Sequence, residues 1–295
     1  MQFIVFILAY PLLWVISILP MRALYLISDM SYLFLYYIIG YRKKVVRNNL
    51  ELCFPKKNKR ELRDLEKKSF RHFVDVFMEF VKSFSITEKE LTQRLTLTNP
   101  EILDKYFDAN KSVVFISGHY ANWEWVPFIV ESRLNYHLNV VYKKLANTHF
   151  DKLVRRTRKK FGVSVFSTKD FYPEILRNIK NNKIGAYGFI ADQSPKWNKV
   201  KYWGNFMDIE IPVITGPESI AKKLDLPVFY FKTERIRRGV YECSFVLLEE
   251  NPKHATPYEL TNKSTKELEK QIRKAPEFYF WTHKRFKHIG KKLSE

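Results

Sequence analysis

A histidine and a glutamate five residues apart offer the clearest acid–base chemistry in this chain. His119 follows a β-like run at 112–116 and the dipeptide Ser117-Gly118, and Glu124 lies in the segment GHYANWEW that begins at that glycine. Two positions five apart on one helix point about 140° away from each other, so a shared helix would keep the side chains separate. With His119 in the strand-to-helix turn and Glu124 in the first helical turn, we expect the carboxylate to fold back onto one imidazole nitrogen.

This pairing would fix the tautomer of His119 and leave its other ring nitrogen free to take a proton from a hydroxyl. Asn122 is a suitable cap for the helix, and Pro127 is tolerated only near a helix start. The residues alone leave an ordinary interpretation open, in which the histidine sits in a satisfied loop and the glutamate on a solvated helix face.

A metal site is a further interpretation, but its ligands show no recognised spacing, and we expect neither a metal nor a cofactor. The ligands would be His119, Glu124, Asp192 and His283.

A nucleophile for a covalent intermediate is not evident, because the chain has no G-x-S-x-G motif and its two cysteines, Cys53 and Cys243, lack a reactive context. We therefore expect direct transfer, with His119 activating the acceptor itself. The distant cysteines also exclude a zinc finger and indicate a reducing compartment.

Alternating strand-like and helical patterns predict the elements that position these residues. Strand-like runs occupy 112–117, 138–142, 162–166, 184–190, 227–232 and 240–248. Helical patterns occupy 60–95, 123–134, 147–161, 170–181 and 216–224. The alternation predicts an α/β fold with a mixed, largely parallel sheet flanked by helices. In such sheets ligands bind at the carboxyl ends of the strands, and His119 and Asp192 each follow such an end.

The first residues predict a membrane segment. Residues 3–19 carry no charge and approach the ~20 residues of a transmembrane helix, whereas a signal peptide would need a basic start and a cleavage site that are absent here. A second apolar stretch, 23–41, contains Asp29, so we expect a helix that packs on the domain or lies at the interface, with a second span as the alternative. We expect residues 1–41 to be a transmembrane anchor with a membrane-associated helix, and residues 42–295 to be the catalytic domain.

The charge distribution limits the classes of partner that the protein can bind. The net charge of +20 comes from 51 Lys and Arg against 31 Asp and Glu, and it suits nucleic acid, an acidic leaflet, an acidic carrier protein or a phosphorylated substrate. Basic residues at 42–47 beside the apolar segments indicate the cytoplasmic side. The run KLVRRTRKK at 152–160 is a solvated helix face or a phosphate site. The aromatic and basic stretch APEFYFWTHKRFKH is also consistent with a base-stacking surface.

Six blocks, in order, resemble one known family. The segment GHYANWEW resembles the G-H-x-x-N-W-E block of the bacterial lipid A biosynthesis acyltransferases. Similar blocks are RKKVVRNNLELCFP, VYKK with the Asn147, Asp151 and Arg158 that follow, ADQS, WGNF with PVITGPESIAKKLDLPV, and APEFYFWTHKRFK. Lys143-Lys144 replaces the Arg-Pro that is usual in this family.

The resemblance implies an inner-membrane enzyme facing the cytoplasm. It would move a fatty acyl chain from acyl carrier protein to a hydroxyl of a lipid A precursor, a phosphorylated glycolipid. His119 and Glu124 match the family's catalytic pair, and Arg158 and Asp192 match further positions needed for activity. The expected substrate-binding residues are Tyr142, Lys143, Lys144, Asn122, Gln193, Gly216, His283 and Arg285.

Two alternatives to this function stay open. The first is O- or N-acylation of another lipid, such as an aminolipid, a glycolipid or a lysophospholipid. The second is a membrane-tethered protein that binds anions without catalysis. We expect no nucleic-acid partner, because binding of nucleic acid leaves the arrangement of His119 and Glu124 unexplained.

Overall fold

The computed structural model describes residues 2–291, which form a seven-stranded sheet, a separate hairpin and the helices that flank them. The strands are β1 (Leu95–Leu97), β2 (Val113–Ser117), β3 (His137–Tyr142), β4 (Ser164–Ser167), β5 (Gly185–Ile190), β6 (Trp203–Phe206), β7 (Ile209–Pro212), β8 (Val228–Arg237) and β9 (Val240–Glu249). The helices are α1 (Gln2–Ile18), α2 (Met21–Leu33), α3 (Lys43–Cys53), α4 (Lys59–Lys82), α5 (Glu88–Thr92), α6 (Asp104–Asp108), α7 (Val126–Arg133), α8 (Thr148–Lys160), α9 (Phe171–Lys180), α10 (Gly216–Leu224) and α11 (Glu259–Lys274).

The sheet has the strand order β1-β9-β8-β2-β5-β3-β4. All neighbouring strands in it are parallel except β8 and β9, which form a long antiparallel pair, while β6 and β7 form the separate hairpin. Strand β2 lies near the centre, and its first four residues are buried, as expected for a parallel strand that is covered on both faces. The prediction of a mixed, largely parallel sheet flanked by helices is confirmed.

The predicted helix at 60–95 is wrong in its extent. Helix α4 begins with a capping box, in which Asn58 accepts from the backbone N–H of Glu61 and the Glu61 carboxylate accepts from that of Asn58. It ends at Lys82, and Thr87 then caps the short helix α5 by accepting from the N–H of Glu90. The apolar periodicity continues through the break, because Phe84 and Ile86 are buried although they lie between the two helices.

The two N-terminal helices lie against the rest of the protein. Helix α2 and the π-helical turn Phe34–Ile39 run antiparallel to α4, with hydrogen bonds from Tyr25 to Glu79 and from Tyr36 to Glu66. Helix α1 contacts α4 and α8: Asn147 donates to the carbonyl of Gln2 at one end, and Ser85 donates to the carbonyl of Ser17 at the other.

The predicted transmembrane anchor has only partial support. Among residues 2–291 no single helix is both long and apolar enough to cross a bilayer. Helix α1 is apolar but has 17 residues, and the pair Met21–Ile39 and Lys43–Cys53 meets the length and composition requirements only when taken together, with a bend of 93°. The expected division of the chain at residue 41 stays a prediction.

The segment after α11 returns to the N-terminal part of the chain. Asn49 donates to the carbonyls of Trp281 and His283, and Arg42 donates to the carbonyl of Thr282. The same segment covers the loop after β2, where the backbone N–H of Phe280 donates to the carbonyl of His119. These long-range contacts close one side of the candidate site.

Candidate active site

Two neighbouring parallel strands bring His119 and Asp192 together. In the register of β2 and β5, Ser117 stands opposite Ile190, and the N–H of Ala191 donates to the carbonyl of Ser117 at 3.1 Å. Each functional residue lies two positions beyond the end of its strand. Parallel strands end at the same edge of a sheet, so the two side chains meet there.

The Asp192 carboxylate holds His119 at two atoms. Its Oδ1 lies 2.6 Å from the imidazole Nδ1, and its Oδ2 accepts from the backbone N–H of His119 at 3.1 Å. Burial opposes the ionisation of Asp192, but the attraction of His119, its hydrogen bonds and the charge of Arg285 outweigh burial and lower the pKa of the carboxyl to about 2. An ionised Asp192 therefore accepts from Nδ1–H and leaves Nε2 of His119 as the basic nitrogen.

The basic Nε2 atom of His119 faces the side chain of Gln193. The amide nitrogen of Gln193 lies 3.3 Å from it, which suits donation to the ring nitrogen. The imidazole is stacked on Phe280, with ring centroids 5.5 Å apart, and has Trp123 at its edge. These contacts fix the plane of the ring, and the His119 side chain as a whole stays 18% exposed.

The expected contact between Glu124 and the imidazole is wrong. Glu124 lies in a turn before α7, and its Oε2 accepts from a terminal nitrogen of Arg158 at 2.9 Å. The reason is local, since Oδ1 of Asn122 accepts from the N–H groups of Glu124 and Trp125 and fixes the direction of the turn. Asp192 takes the place that we expected for Glu124, while a catalytic role for Glu124 stays a prediction.

Arg158 closes the turn from the last part of α8. Its guanidinium lies 5.0 Å over the ring of Tyr142, whose hydroxyl donates to Asp151 at 3.0 Å. The Nε atom of Arg158 is buried and has no hydrogen-bond partner among residues 2–291. Lys143 and Lys144 follow the end of β3 and are exposed, at the same edge of the sheet as the histidine.

Arg285 and His283 lie in the segment that covers the site, where Arg285 is buried and His283 is partly exposed. The Arg285 side chain is buried and shares a small cavity with Asp192, and two of its nitrogens have no partner among the described residues. Burial lowers the pKa of His283 to about 4, although the nearby Asp192 opposes that shift. Gly216 begins α10 shortly after Ile214, which lines the same cavity. Direct substrate contacts by these residues stay predictions.

Gly118, which precedes the histidine, has a packing reason to be glycine. A Cβ atom there would lie 2.7 Å from Cδ1 of Leu268 on α11, which is closer than van der Waals contact allows. The sequence interpretation missed this contact because it assigned no element to residues 259–274.

It also missed a set of buried polar residues on α4 that support the turn. His72, Asp75 and Glu79 recur at helical spacing within the apolar pattern, and this repeated interruption was the available signal. They contact the turn, α2 and β8–β9.

The four residues considered as metal ligands lie in three separate contacts, which are the hydrogen bond of His119 to Asp192, the ion pair of Glu124 with Arg158, and the backbone contact of His283 with Asn49. Within residues 2–291 no three His, Cys, Asp or Glu side chains lie close enough to hold one ion. The arrangement at the sheet edge offers acid–base chemistry instead, with an oriented imidazole beside a buried carboxylate and an arginine.

Comparison with known proteins agrees with the six sequence blocks. No curated protein matches the chain. A family model described as bacterial lipid A biosynthesis acyltransferase matches residues 1–288, which include the apolar N-terminal helices, the His119 turn and the segment that covers it. The chain therefore belongs to the bacterial lipid A biosynthesis acyltransferase family.

Proposed function

We propose that this protein transfers a fatty acyl chain from acyl carrier protein to a hydroxyl of a lipid A precursor, with His119 as the general base. The observation that carries the proposal is the 2.6 Å contact between His119 Nδ1 and the Asp192 carboxylate. It orients a basic Nε2 at the carboxyl end of a parallel sheet, in a chain of the lipid A acyltransferase family.

In the proposed reaction, the acceptor hydroxyl takes the place of Gln193 next to Nε2 of His119. The imidazole removes the hydroxyl proton while the oxygen attacks the thioester carbonyl, so that an oxygen–carbon bond forms. Asp192 stabilises the imidazolium that results. The carbon–sulfur bond then breaks, the carrier thiolate leaves, and the imidazolium returns its proton to that sulfur or to water.

The negative charge on the former carbonyl oxygen needs a donor. Arg158 is suited to this task, because Glu124 fixes one of its terminal nitrogens and its buried Nε lacks a partner among residues 2–291. In this proposal Glu124 contributes by orienting Arg158 and by balancing its charge. Both residues thus keep the catalytic importance that the family resemblance implies, through a pairing that differs from the expected one.

An apolar groove supports an acyl substrate. It has a volume of about 720 Å³ and lies between α2, the π-helical turn and α4. Its lining residues are Ile27, Met30, Ser31, Phe34, Leu35, Tyr41, Phe73, Val74, Phe77 and Met78. The ring centroids of Phe73 and Phe280 are 5.8 Å apart, and Phe280 is in turn stacked on His119. A row of aromatic rings therefore joins the groove to the proposed base, His119.

Charge supports an acidic donor and a phosphorylated acceptor. The net charge of +20 favours encounter with an acidic carrier protein, and Lys143 and Lys144 are exposed beside the site for contact with a phosphate. The apolar side chains exposed on α1 suit an inner-membrane location on the cytoplasmic side. They are Phe3, Ile4, Val5, Ile7, Leu8, Leu12, Trp14, Val15 and Ile18.

The test of this function offers the protein two acceptors together with an acyl carrier thioester. One acceptor is a tetra-acylated, phosphorylated disaccharide precursor, and the other is a lysophospholipid. A gain of one acyl mass on the disaccharide, removed by mild alkali and abolished by His119→Ala, is the expected result. Transfer only to the lysophospholipid would contradict the proposed acceptor, and full transfer by His119→Ala would contradict the proposed base.

A further inference from the structure

Three buried polar residues form a stripe along one face of α4. His72, Asp75 and Glu79 stand at positions i, i+3 and i+7, which share a helix face, and their exposed fractions are 3%, 1% and 0%. Buried ionisable groups are costly unless they are hydrogen-bonded. Their partners therefore indicate what the stripe is for.

Glu79 supports the turn that carries Glu124. Its Oε2 accepts from the Asn122 amide at 2.7 Å, and its backbone carbonyl accepts from Nε1 of Trp125 at 2.9 Å. Asn122 in turn fixes the N–H groups of Glu124 and Trp125. One buried carboxylate thus determines the side-chain orientation of the residue that caps the turn.

His72 supports the same turn at its strained residue. Ala121 has φ of 51°, in the left-handed region that disfavours residues with a Cβ, and its carbonyl lies 3.2 Å from Nε2 of His72. Burial and, to a smaller extent, the charge of the nearby Arg235 together lower the pKa of His72 to about 3. The ring is neutral, so Nε2–H donates to Ala121 while Nδ1 accepts from Arg235 at 3.1 Å.

On its other side the stripe contacts α2. The Tyr25 hydroxyl donates to Oε1 of Glu79 at 2.6 Å, and the Ser28 hydroxyl donates to Asp75 at 2.7 Å. Tyr241 on β9 also donates to Oε2 of Glu79, at 2.7 Å. A continuous hydrogen-bonded path therefore runs from Tyr25 through Glu79 and Asn122 to the backbone of Glu124.

We propose that Glu79 is a positioning residue that holds the turn of residues 119–125 in its reactive form, and that Tyr25 of α2 keeps Glu79 in place. The inference rests on the proposed function for its kinetic part. Glu79 touches neither substrate nor reacting atoms. It acts through Asn122, and it makes the geometry of the turn depend on how α2 is seated against α4.

The chain supplies a matched control on the same two elements. Tyr36 donates to the buried carboxylate of Glu66 at 2.9 Å, which repeats the contact between Tyr25 and Glu79 farther from the turn. Arg47 also binds Glu66, and within the described part of the chain no hydrogen bond joins the Glu66 side chain to residues 119–125. The variants Glu66→Gln and Tyr36→Phe therefore perturb the same interface without reaching the turn.

The kinetic experiment compares Glu79→Gln and Tyr25→Phe with these two controls, below the unfolding temperature of each variant. We expect Glu79→Gln to lower kcat by about 10- to 100-fold through misplacement of the turn, with KM for the acyl donor changed less than twofold. We expect a smaller loss in Tyr25→Phe, and kcat near wild type in both controls. Equal losses of kcat in Glu79→Gln and Glu66→Gln would overturn the proposal, because the effect would then be general loss of structure.

A second measurement does not depend on activity. Hydrogen exchange of the backbone amides in residues 119–125 should be faster in Glu79→Gln than in wild type and unchanged in Glu66→Gln. If wild type lacks transferase activity but this exchange pattern is found, the proposed function fails while the positioning role stands. Unchanged exchange in Glu79→Gln would overturn the positioning role whatever the activity.

A rescue tests whether Glu79 acts by holding the turn, which also contains the strained Ala121. Glycine adopts a positive φ without the penalty that alanine carries, so Ala121→Gly should let the turn form with less external support. We expect kcat of the double variant Glu79→Gln, Ala121→Gly to be severalfold higher than that of Glu79→Gln. Relief of the strain at residue 121 sets an upper limit of about tenfold on this gain. A kcat no higher than that of Glu79→Gln would contradict action through the turn.

Discussion

The imidazole of His119 receives its carboxylate from the neighbouring strand β5, two residues beyond the strand end. Asp192 contacts both the ring Nδ1 and the backbone N–H of His119, so it fixes the tautomer and the position of the residue together. Glu124, in the same turn as the histidine, binds Arg158 instead. Two carboxylates therefore bind two different side chains, an imidazole and a guanidinium, at one edge of the sheet.

Replacement of Asp192 by asparagine should impair the base directly. The amide can present N–H groups to Nδ1 and favour the wrong tautomer of His119. We expect Asp192→Asn to lower kcat by ~10²–10⁴-fold. Steady-state transfer to the disaccharide acceptor measures this, with the exposed Asp108→Asn as a control for loss of one charge. A loss below tenfold would contradict the orienting role.

The Asp192 carboxylate should also make the free energy of unfolding depend on pH. The pKa of Asp192 is lowered from 3.8 to about 2 in the folded state, so its ionised form stabilises the fold above pH 4. That contribution, about 2 kcal/mol, should disappear as pH falls from about 4 to about 2. Denaturant unfolding at several pH values should therefore show wild type and Asp192→Asn converging in free energy of unfolding toward pH 2. A constant difference between them would argue against this coupling.

The ion pair of Glu124 and Arg158 should behave as one unit. If Glu124 works by orienting Arg158, removal of either partner removes the same function. We expect Glu124→Gln and Arg158→Gln each to lower kcat strongly, and the double variant to be no worse than the more damaged single one. A double-mutant cycle on kcat measures the coupling, for which we expect about 1–3 kcal/mol. Additive losses would mean that the two side chains act independently.

The six strands that were predicted from apolar runs all form: β2 is buried on both faces for most of its length, whereas β9 alternates between buried and partly exposed residues. Three other elements gave no such signal. Strand β1 has only three residues, and the hairpin β6–β7 turns through Met207 and Asp208, both at positive φ without the usual glycine or asparagine. Helix α11 buries threonine, serine and glutamine beside few apolar residues.

The candidate site was predictable in position but not in pairing. Apolar runs followed by His119 and Asp192 located both residues at strand ends, whereas their contact depends on β2 and β5 being neighbours. That order is a tertiary property, since β3 and β4 lie between them along the chain. Glu124 was misassigned because the turn created by Asn122 has no helical periodicity to reveal its direction.

The close contact between Gly118 and α11 should couple a loop substitution to a distant helix. A methyl group at Gly118 would press on the buried Leu268 side chain, so Gly118→Ala should lower the free energy of unfolding by ~1–3 kcal/mol. Leu268→Ala leaves room for that methyl group but loses its own packing, typically about 2–5 kcal/mol. In denaturant titrations the double variant should be less destabilised than the sum of the single ones. Simple additivity would show that the contact does not constrain the loop.

The protein combines a strongly basic composition with an apolar N-terminal surface. Helix α1 contacts α4 and α8 along one side, while side chains such as Leu8 and Leu12 are 72% and 61% exposed. An apolar area of this extent is unusual on a surface that faces water. Attraction to anionic headgroups and burial of apolar side chains can therefore both contribute to binding of the protein to a membrane.

A salt titration should separate the electrostatic contribution to membrane binding from the apolar one. We expect wild type to float with vesicles that contain anionic lipid even at 1 M salt, where about 3 Å of Debye length leaves little electrostatic attraction. The double variant Leu8→Glu, Leu12→Glu should be released at that salt concentration. Gln93→Glu with Asn205→Glu places the same charge at exposed polar positions and should stay bound. Release of wild type by salt alone would contradict an apolar attachment.

The segment that covers His119 has a consequence for biosynthesis. Phe278 and Phe280 bond to the backbone of Ala121 and His119, while Trp281 and His283 bond to Asn49, more than two hundred residues earlier in the chain. Such contacts close very long loops and form late in folding. On the ribosome, the turn that carries His119 cannot acquire its final backbone contacts until these last residues have emerged. A nascent chain halted before residue 276 would carry both residues of the proposed His119–Asp192 pair and still lack the segment that covers them, so translation itself delays completion of the site.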